Sequence, residues 1–149
     1  MNRMVVSILW KRLDTPGHDA CHLDGSEGGW KLHGTAVFRH DGVPARLTYQ
    51  VVCDPAWHTL HGQVEGWLGA QPVALNIART DAGVWMLNGL VVSRLQNCVD
   101  LDLGFTPATN LLPIRRLNLV EGQSAEAPAA WLNVSAGTLE VLPQRYERR

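Results

Sequence analysis

Apolar and polar positions alternate with period two along most of this chain, the pattern of strands that bury one face. In "GWKLHGTAVFRH" (29–40), Trp30, Leu32, Gly34, Ala36 and Phe38 share one side, while Lys31, His33 and Thr35 share the other. The run "ARLTYQVVCD" (45–54) groups Leu47, Tyr49, Val51 and Cys53. Asp41-Gly42 between these runs signals a hairpin, with a loop expected to exceed two residues. "WHTLHGQVEGWLG" (57–69) also alternates: Trp57, Thr59, His61, Gln63, Glu65 and Trp67 on one face, His58, Leu60, Gly62, Val64, Gly66 and Leu68 on the other. The first set reads either as a solvent face or as the lining of a cavity for an amphipathic ligand.

"PVALNIART" and "VWMLNGL" flank a Asp81-Ala82-Gly83 turn, and "CVDLDLGF", "IRRLNLVEG", "APAAWLNVS" and "TLEVLPQRY" continue the strand-like pattern to the end. Helical spacing is scarce. "TPATNLL" (106–112) predicts one helical turn, with Thr106 as N-cap and Pro107 in the first position. The expectation is an all-β fold of nine or more antiparallel strands, a single sheet curled into a roll or barrel with little helix. Glycines beside the strands suit the bends such a sheet needs. In "GFTPATNLLPIRRL" (104–117) a strand is expected to end at Phe105, cross an opening of the roll on two prolines, and resume near Ile114.

The chain has 149 residues, 46% of them hydrophobic and 18% charged, with a formal charge of −1. That size fits one domain, residues 1–149, and the charge supplies no basic field for nucleic acid. No apolar stretch nears the roughly 20 residues of a membrane helix, so no membrane insertion is expected. "MNRMVVSILWKRLD" meets Lys11 and Arg12 too early for a signal peptide, which predicts a cytoplasmic protein. Cys21, Cys53 and Cys98 form no CxxC pair and read as reduced thiols. Asn133-Val134-Ser135 fits a glycosylation pattern only by chance in that compartment.

Chemistry-bearing signals are few. His18-x-x-Cys21-His22 approaches metal-ligand spacing but falls in an expected loop with no matching pair. His58 and His61 point to opposite faces of a strand. No nucleophile elbow or phosphate-binding glycine loop is present, so neither cofactor nor metal is expected. Asp100 and Asp102 share one strand face about 7 Å apart, at roughly 3.3 Å per residue. They suit pairing with arginine, a ligand-facing role, or acid–base work. Arg115 and Arg116, if extended, point to opposite faces, one toward Asp100 or Asp102 and the other toward a ligand. Arg12 and Asp14 follow Trp10 in a further arginine–aromatic group.

Several stretches together resemble a known family. They are "WKRLDTPGHD" (10–19), "GWKLHGTAVF" (29–38), "LTYQVVCDPAWHT" (47–59), "VEGWLG" (64–69), "VWMLNG" (84–89), "CVDLDLGFTPATNLLPIRRL" (98–117), "AAWL" (129–132) and "LEVLPQRYER" (139–148). The pattern is similar to that of the glycolipid-binding family, a bacterial domain of formerly unknown function. Lys11 and Leu111 stand where the family pattern usually has Arg and Thr. The resemblance implies a long antiparallel sheet rolled on itself and the binding of a glycolipid or another amphipathic small molecule. Head-group candidates on that reading are Arg12, Asp14, Trp57, Asn88, Asp100, Asp102, Asn110, Arg115 and Arg116. Two alternatives stay open: a structural or interaction domain with no small-molecule ligand, and an enzyme using Asp100 or Asp102. The sequence leaves the oligomeric state undetermined.

Overall fold

The computed structural model describes residues 3–149. Eight strands follow one another as an antiparallel meander: β1 (Met4–Lys11), β2 (Gly17–Ser26), β3 (Gly29–His40), β4 (Val43–Cys53), β5 (Thr59–Leu68), β6 (Gln71–Arg79), β7 (Trp85–Leu87) and β8 (Leu90–Val92). Each pairs with its neighbours in sequence, and β1 and β8 form the two edges of an open, curled sheet. The Asp41-Gly42 turn is shorter than expected, since His40 pairs directly with Val43. Both turn residues have positive φ (47° and 82°), the backbone of a two-residue turn whose twist matches its strands.

Alternation sorts the sheet as the sequence implies. Leu32, Ala36 and Phe38 of β3, then Leu47, Tyr49, Val51 and Cys53 of β4, are buried on the inner face. Val64 and Leu68 of β5 and Val73, Leu75 and Ile77 of β6 continue that face. The register aligns Ser7, His22, His33, Gln50, Gln63 and Asn76 in one polar row across the outer face. His61, Gln63, Glu65 and Trp67 are exposed there, so this part of β5 faces solvent.

The face assignment fails at the start of β5. The register slips between Val52 and Cys53, because Val52 pairs with His61 but Cys53 pairs with Thr59. One extra residue turns the chain, so Thr59 is buried rather than aligned with exposed His61. The Asp54 carboxylate organises the preceding turn, accepting from the backbone N–H of Ala56 and His58 at 2.9 Å each. Trp57 leaves this turn with a positive φ of 70° and a buried indole.

The concave side is filled by the rest of the chain. β9 (Asp100–Asp102), β11 (Ala129–Asn133) and β12 (Thr138–Leu142) form a small sheet in the order β12-β11-β9. Its β9–β11 pair is parallel, the one departure from antiparallel pairing among the described strands. β10 (Ser124–Glu126) and β13 (Arg145–Glu147) make a two-stranded ribbon. Leu101, Leu103, Leu112 and Leu132, all fully buried, join the inner face of the large sheet in one core.

Two local expectations are overturned. β2 carries His18, Cys21 and His22, so these are not loop residues. Cys21 is buried while both histidines are exposed on the opposite side. The second correction concerns the segment around Ile114, which is helical, not extended. A 3-10 turn over Pro107–Asn110 runs straight into α1 (Leu111–Leu117), and Asn118, left-handed at φ 45°, ends it. Thr106 caps the start as expected, its Oγ1 accepting from Ala108 N–H at 3.1 Å, with Pro107 next. Pro113 sits in the first turn of α1, where a missing N–H breaks no helical bond. Burial of Ala108 and Leu112, four residues apart, is the helical spacing that the two prolines obscure.

Candidate functional site

The nine candidate residues separate into distinct places. Arg12 and Asp14 lie just beyond β1 at one end of the roll. The Arg12 Nε and Nη2 donate to the two Asp14 carboxylate oxygens at 3.0 and 2.9 Å. This fork holds the Asp14 carboxyl well below the usual range and raises the Arg12 pKa. The guanidinium lies 4.6 Å above the Phe38 ring. Phe38 in turn stacks with Phe105 at 6.4 Å, and Phe105 meets Tyr49 edge-on at 5.7 Å. A cation and three rings thus run from the rim toward the core.

Arg116 and Asp100 form a second pair, deep between α1 and β9. Nε donates to Oδ1 at 3.0 Å and Nη2 to Oδ2 at 2.7 Å, with Asp100 only 1% exposed. This is the anchoring role expected of one of the two arginines. Asp102, on the same face of β9, accepts from Gly104 N–H at 2.8 Å and from Gln144 Nε2 at 3.0 Å. Tyr146 donates to the Gln144 side-chain Oε1 at 3.1 Å, and burial with the nearby Asp102 and Asp100 charges pushes its phenol up. Every oxygen of the two carboxylates is engaged by the protein, so the pair braces structure rather than presenting a free acid or base.

Arg115 lies on a helix, where neighbours differ by about 100° rather than pointing oppositely. Its guanidinium stands 5.9 Å from the Trp57 ring, which stacks on Trp30 at 4.3 Å. Two predicted residues are thereby joined, in a group separate from Arg12. Asn88 belongs to neither group. It forms the β7–β8 turn with Gly89, at φ 49°, and its Oδ1 accepts from Asn76 N–H at 2.8 Å. Asn110 is exposed at the junction of the 3-10 turn and α1, without a side-chain capping bond. Among the described residues no group of three His, Cys, Asp or Glu side chains could hold a metal ion.

One cavity reaches Arg115 and another reaches Arg12. One, of about 460 Å³, is a surface groove between α1 and β13 lined by Ile114, Arg115, Leu119, Tyr146 and Arg148 among others. The other, of about 230 Å³, opens beside Arg12 and reaches the fully buried Leu47, Leu103 and Leu132. Its walls add Phe38, Leu68 and Phe105, and its rim carries His40, Asn133 and Ser135. Trp131 lies across the rim against Gly104, whose φ is 76°. A side chain at Gly104 would stand 2.6 Å from the Trp131 Nε1, so this position needs glycine for both backbone and space.

Sequence reading missed Phe38, Phe105 and Trp131 as cavity residues. The available signal was Gly104 beside Phe105 in a loop rich in apolar residues. The pairing of β11 with β9, which carries Trp131 to that loop, has no mark in the local sequence.

A solved structure is similar over most of its length: that of a DUF1089 family protein from Pseudomonas aeruginosa, at 25% identity and a TM-score of 0.77. The match covers 93% of this chain and 74% of that one. No curated protein matches the chain. Residues 7–149 match the family described as "Putative glycolipid-binding", and the protein, a curled eight-stranded sheet around its own helix and small sheet, belongs to that family.

Proposed function

We propose that the protein binds an amphipathic small molecule of glycolipid type, its apolar part in the cavity beside Arg12 and its polar part at the rim. The observation that carries this reading is the gradient along one cavity. Buried leucines and two phenylalanines form the depth, while Arg12, His40, Asn133 and Ser135 form the mouth. A mostly apolar pocket with a few placed polar groups is the usual form of a small-molecule site. The family description supports the same ligand class. The groove at Arg115 is larger, but exposed residues such as Ile114 and Arg148 line it and it does not enter the core. No helix among the described residues is long and apolar enough to cross a membrane.

The test is native mass spectrometry of protein purified from its own host, then extraction and lipid analysis of what is released. A stoichiometric amphipathic adduct is expected, lost in Arg12→Ala and kept in Arg46→Ala, which alters the outer face near Trp67. A bare protein mass that gains nothing from total lipid extract refutes the reading. In that case the segment 103–117 serves only to fill the roll, a role favoured by the Asp100–Arg116 pair and buried Leu112.

A further inference from the structure

We infer that β1 is a dimerisation edge, which pairs antiparallel with β1 of a second copy of this chain across a two-fold axis through Ile8. The register shows which backbone groups are open. Arg12 N–H donates to the Gly17 carbonyl at 2.9 Å, and β1 pairs with β2 without a slip from Met4 opposite Gly25 to Lys11 opposite His18. The N–H and C=O of Met4, Val6, Ile8 and Trp10 therefore point to β2, while those of Val5, Ser7, Leu9 and Lys11 point away from the sheet. Among the described residues β1 is paired on this one side only, over its eight residues. It carries none of the devices that blunt an edge: no proline, no bulge, and no charge from Met4 to Trp10. Its side chains are apolar on both faces. Leu9 is 69% exposed, and Val5, Val6 and Ile8 are each about half exposed.

Charge chooses the register. Two pairings of β1 with itself overlap most of the strand and bring open groups opposite open groups. Centring on Ser7 sets Arg3 opposite Lys11 of the other copy, and like charges directly opposite destabilise a sheet. Centring on Ile8 sets Val5 opposite Lys11, Val6 opposite Trp10, Ser7 opposite Leu9 and Ile8 opposite itself, with no two charges face to face. The patch is then complementary to itself, as a two-fold interface requires. Four open residues on each copy exchange about eight backbone hydrogen bonds, and Val6, Ile8 and Trp10 meet their counterparts on the concave face. Strand pairing stops at two copies, because the opposite edge of the large sheet, β8, is only three residues long. Side chains and backbone together bury on the order of 1,000 Å² for the pair, the low end of specific interfaces, so the dimer is a reversible one of micromolar affinity.

Sedimentation of the protein from about 1 µM to about 500 µM should follow a monomer passing to a dimer. Amide hydrogen exchange reads the register: the Ser7 and Leu9 N–H groups should gain protection as concentration rises, while those of Val6, Ile8 and Trp10 are protected at every dilution. Ser7→Pro removes an outward N–H that β2 does not use, so the monomer keeps its fold. The dimer loses two hydrogen bonds and should weaken at least about tenfold. Ile8→Lys and Ile8→Glu should each be monomeric alone and dimeric when mixed in equal amounts, because the two-fold sets residue 8 opposite itself. A monomer throughout the concentration range overturns the proposal. If the Ser7 and Leu9 amides are then protected at every dilution, a segment of the same chain covers the edge instead. A dimer that persists in Ser7→Pro, or in either Ile8 variant alone, forms through another surface and also overturns it. Failure of the mixed Ile8 variants to associate overturns the axis through Ile8.

Discussion

Replacing Arg116 by alanine will destabilise the protein by about 3 kcal/mol, the low end of the 3–5 kcal/mol seen when one partner of a buried ion pair is removed. The geometry fixes this estimate. Both Asp100 oxygens are bound by Arg116, at 3.0 and 2.7 Å, and the Asp100 side chain is 2% exposed. Without the guanidinium, a carboxylate stays behind in the core with no cation, and its desolvation is no longer offset. The Arg116 side chain is itself 19% exposed, so water entering the vacated space relieves part of the cost. For a chain of this size, each kcal/mol moves Tm by about 2–4 °C, so a fall of about 6–12 °C is expected.

Urea unfolding followed by tryptophan fluorescence measures the change directly, since six indoles report the transition. The midpoint should drop with an unchanged slope. The double variant Asp100→Leu with Arg116→Met separates a broken pair from a lost contact, because apolar replacement of both partners removes the stranded charge. Its stability should lie within about 1 kcal/mol of wild type. A single-variant loss below about 1 kcal/mol, the range of an exposed surface pair, would refute the claim that this pair is buried and braces α1.

Three further outcomes follow from the same structure. Asp19 is 3% exposed with one oxygen unpartnered, and burial raises its pKa although the Tyr49 hydroxyl donates to its other oxygen at 2.9 Å. A carboxyl raised in the folded state contributes stability below its unfolded pKa of about 3.9, and loses that contribution as pH rises through the folded value. In wild type this contribution should therefore fall as pH rises above about 3.9 through the folded value, and Asp19→Asn should flatten the slope in pH-dependent denaturant melts; an unchanged slope contradicts the burial argument. Thr106→Ala should cost about 1–2 kcal/mol by urea titration, because Oγ1 both caps the Ala108 N–H and donates to the Tyr49 hydroxyl at 3.3 Å. Thr106→Ser should recover most of it. Cys21, Cys53 and Cys98 are buried, and burial pushes the Cys53 thiol up to about 12. Ellman's reagent at pH 8 should label them only at the rate of unfolding, and prompt labelling of the folded protein would contradict their placement.

The alternation of apolar and polar residues determined the meander from β2 to β6, because neighbouring strands joined by short turns need only local pattern and turn chemistry. Leu47, Tyr49, Val51 and Cys53 point inward as their spacing says, and Thr106-Pro107 starts a helical turn as its residues say. The same reasoning misplaced Trp57 and Thr59, since one extra residue at a register slip reverses every face beyond it and leaves no mark in composition. It read "IRRLNL" as extended because Ile, Leu and Arg serve either state; burial of Leu112 and the Asp100–Arg116 pair settle it as helix. The candidate site was legible only in part. Arg12–Asp14 is a contact between near neighbours, and its residues announce it. Arg116 and Asp100, Trp57 and Arg115, or Arg12 and Trp131 are brought together by a curled sheet and a parallel β9–β11 pair. Such contacts are set by the packing of distant segments into one core, a property of the whole chain that no short stretch encodes.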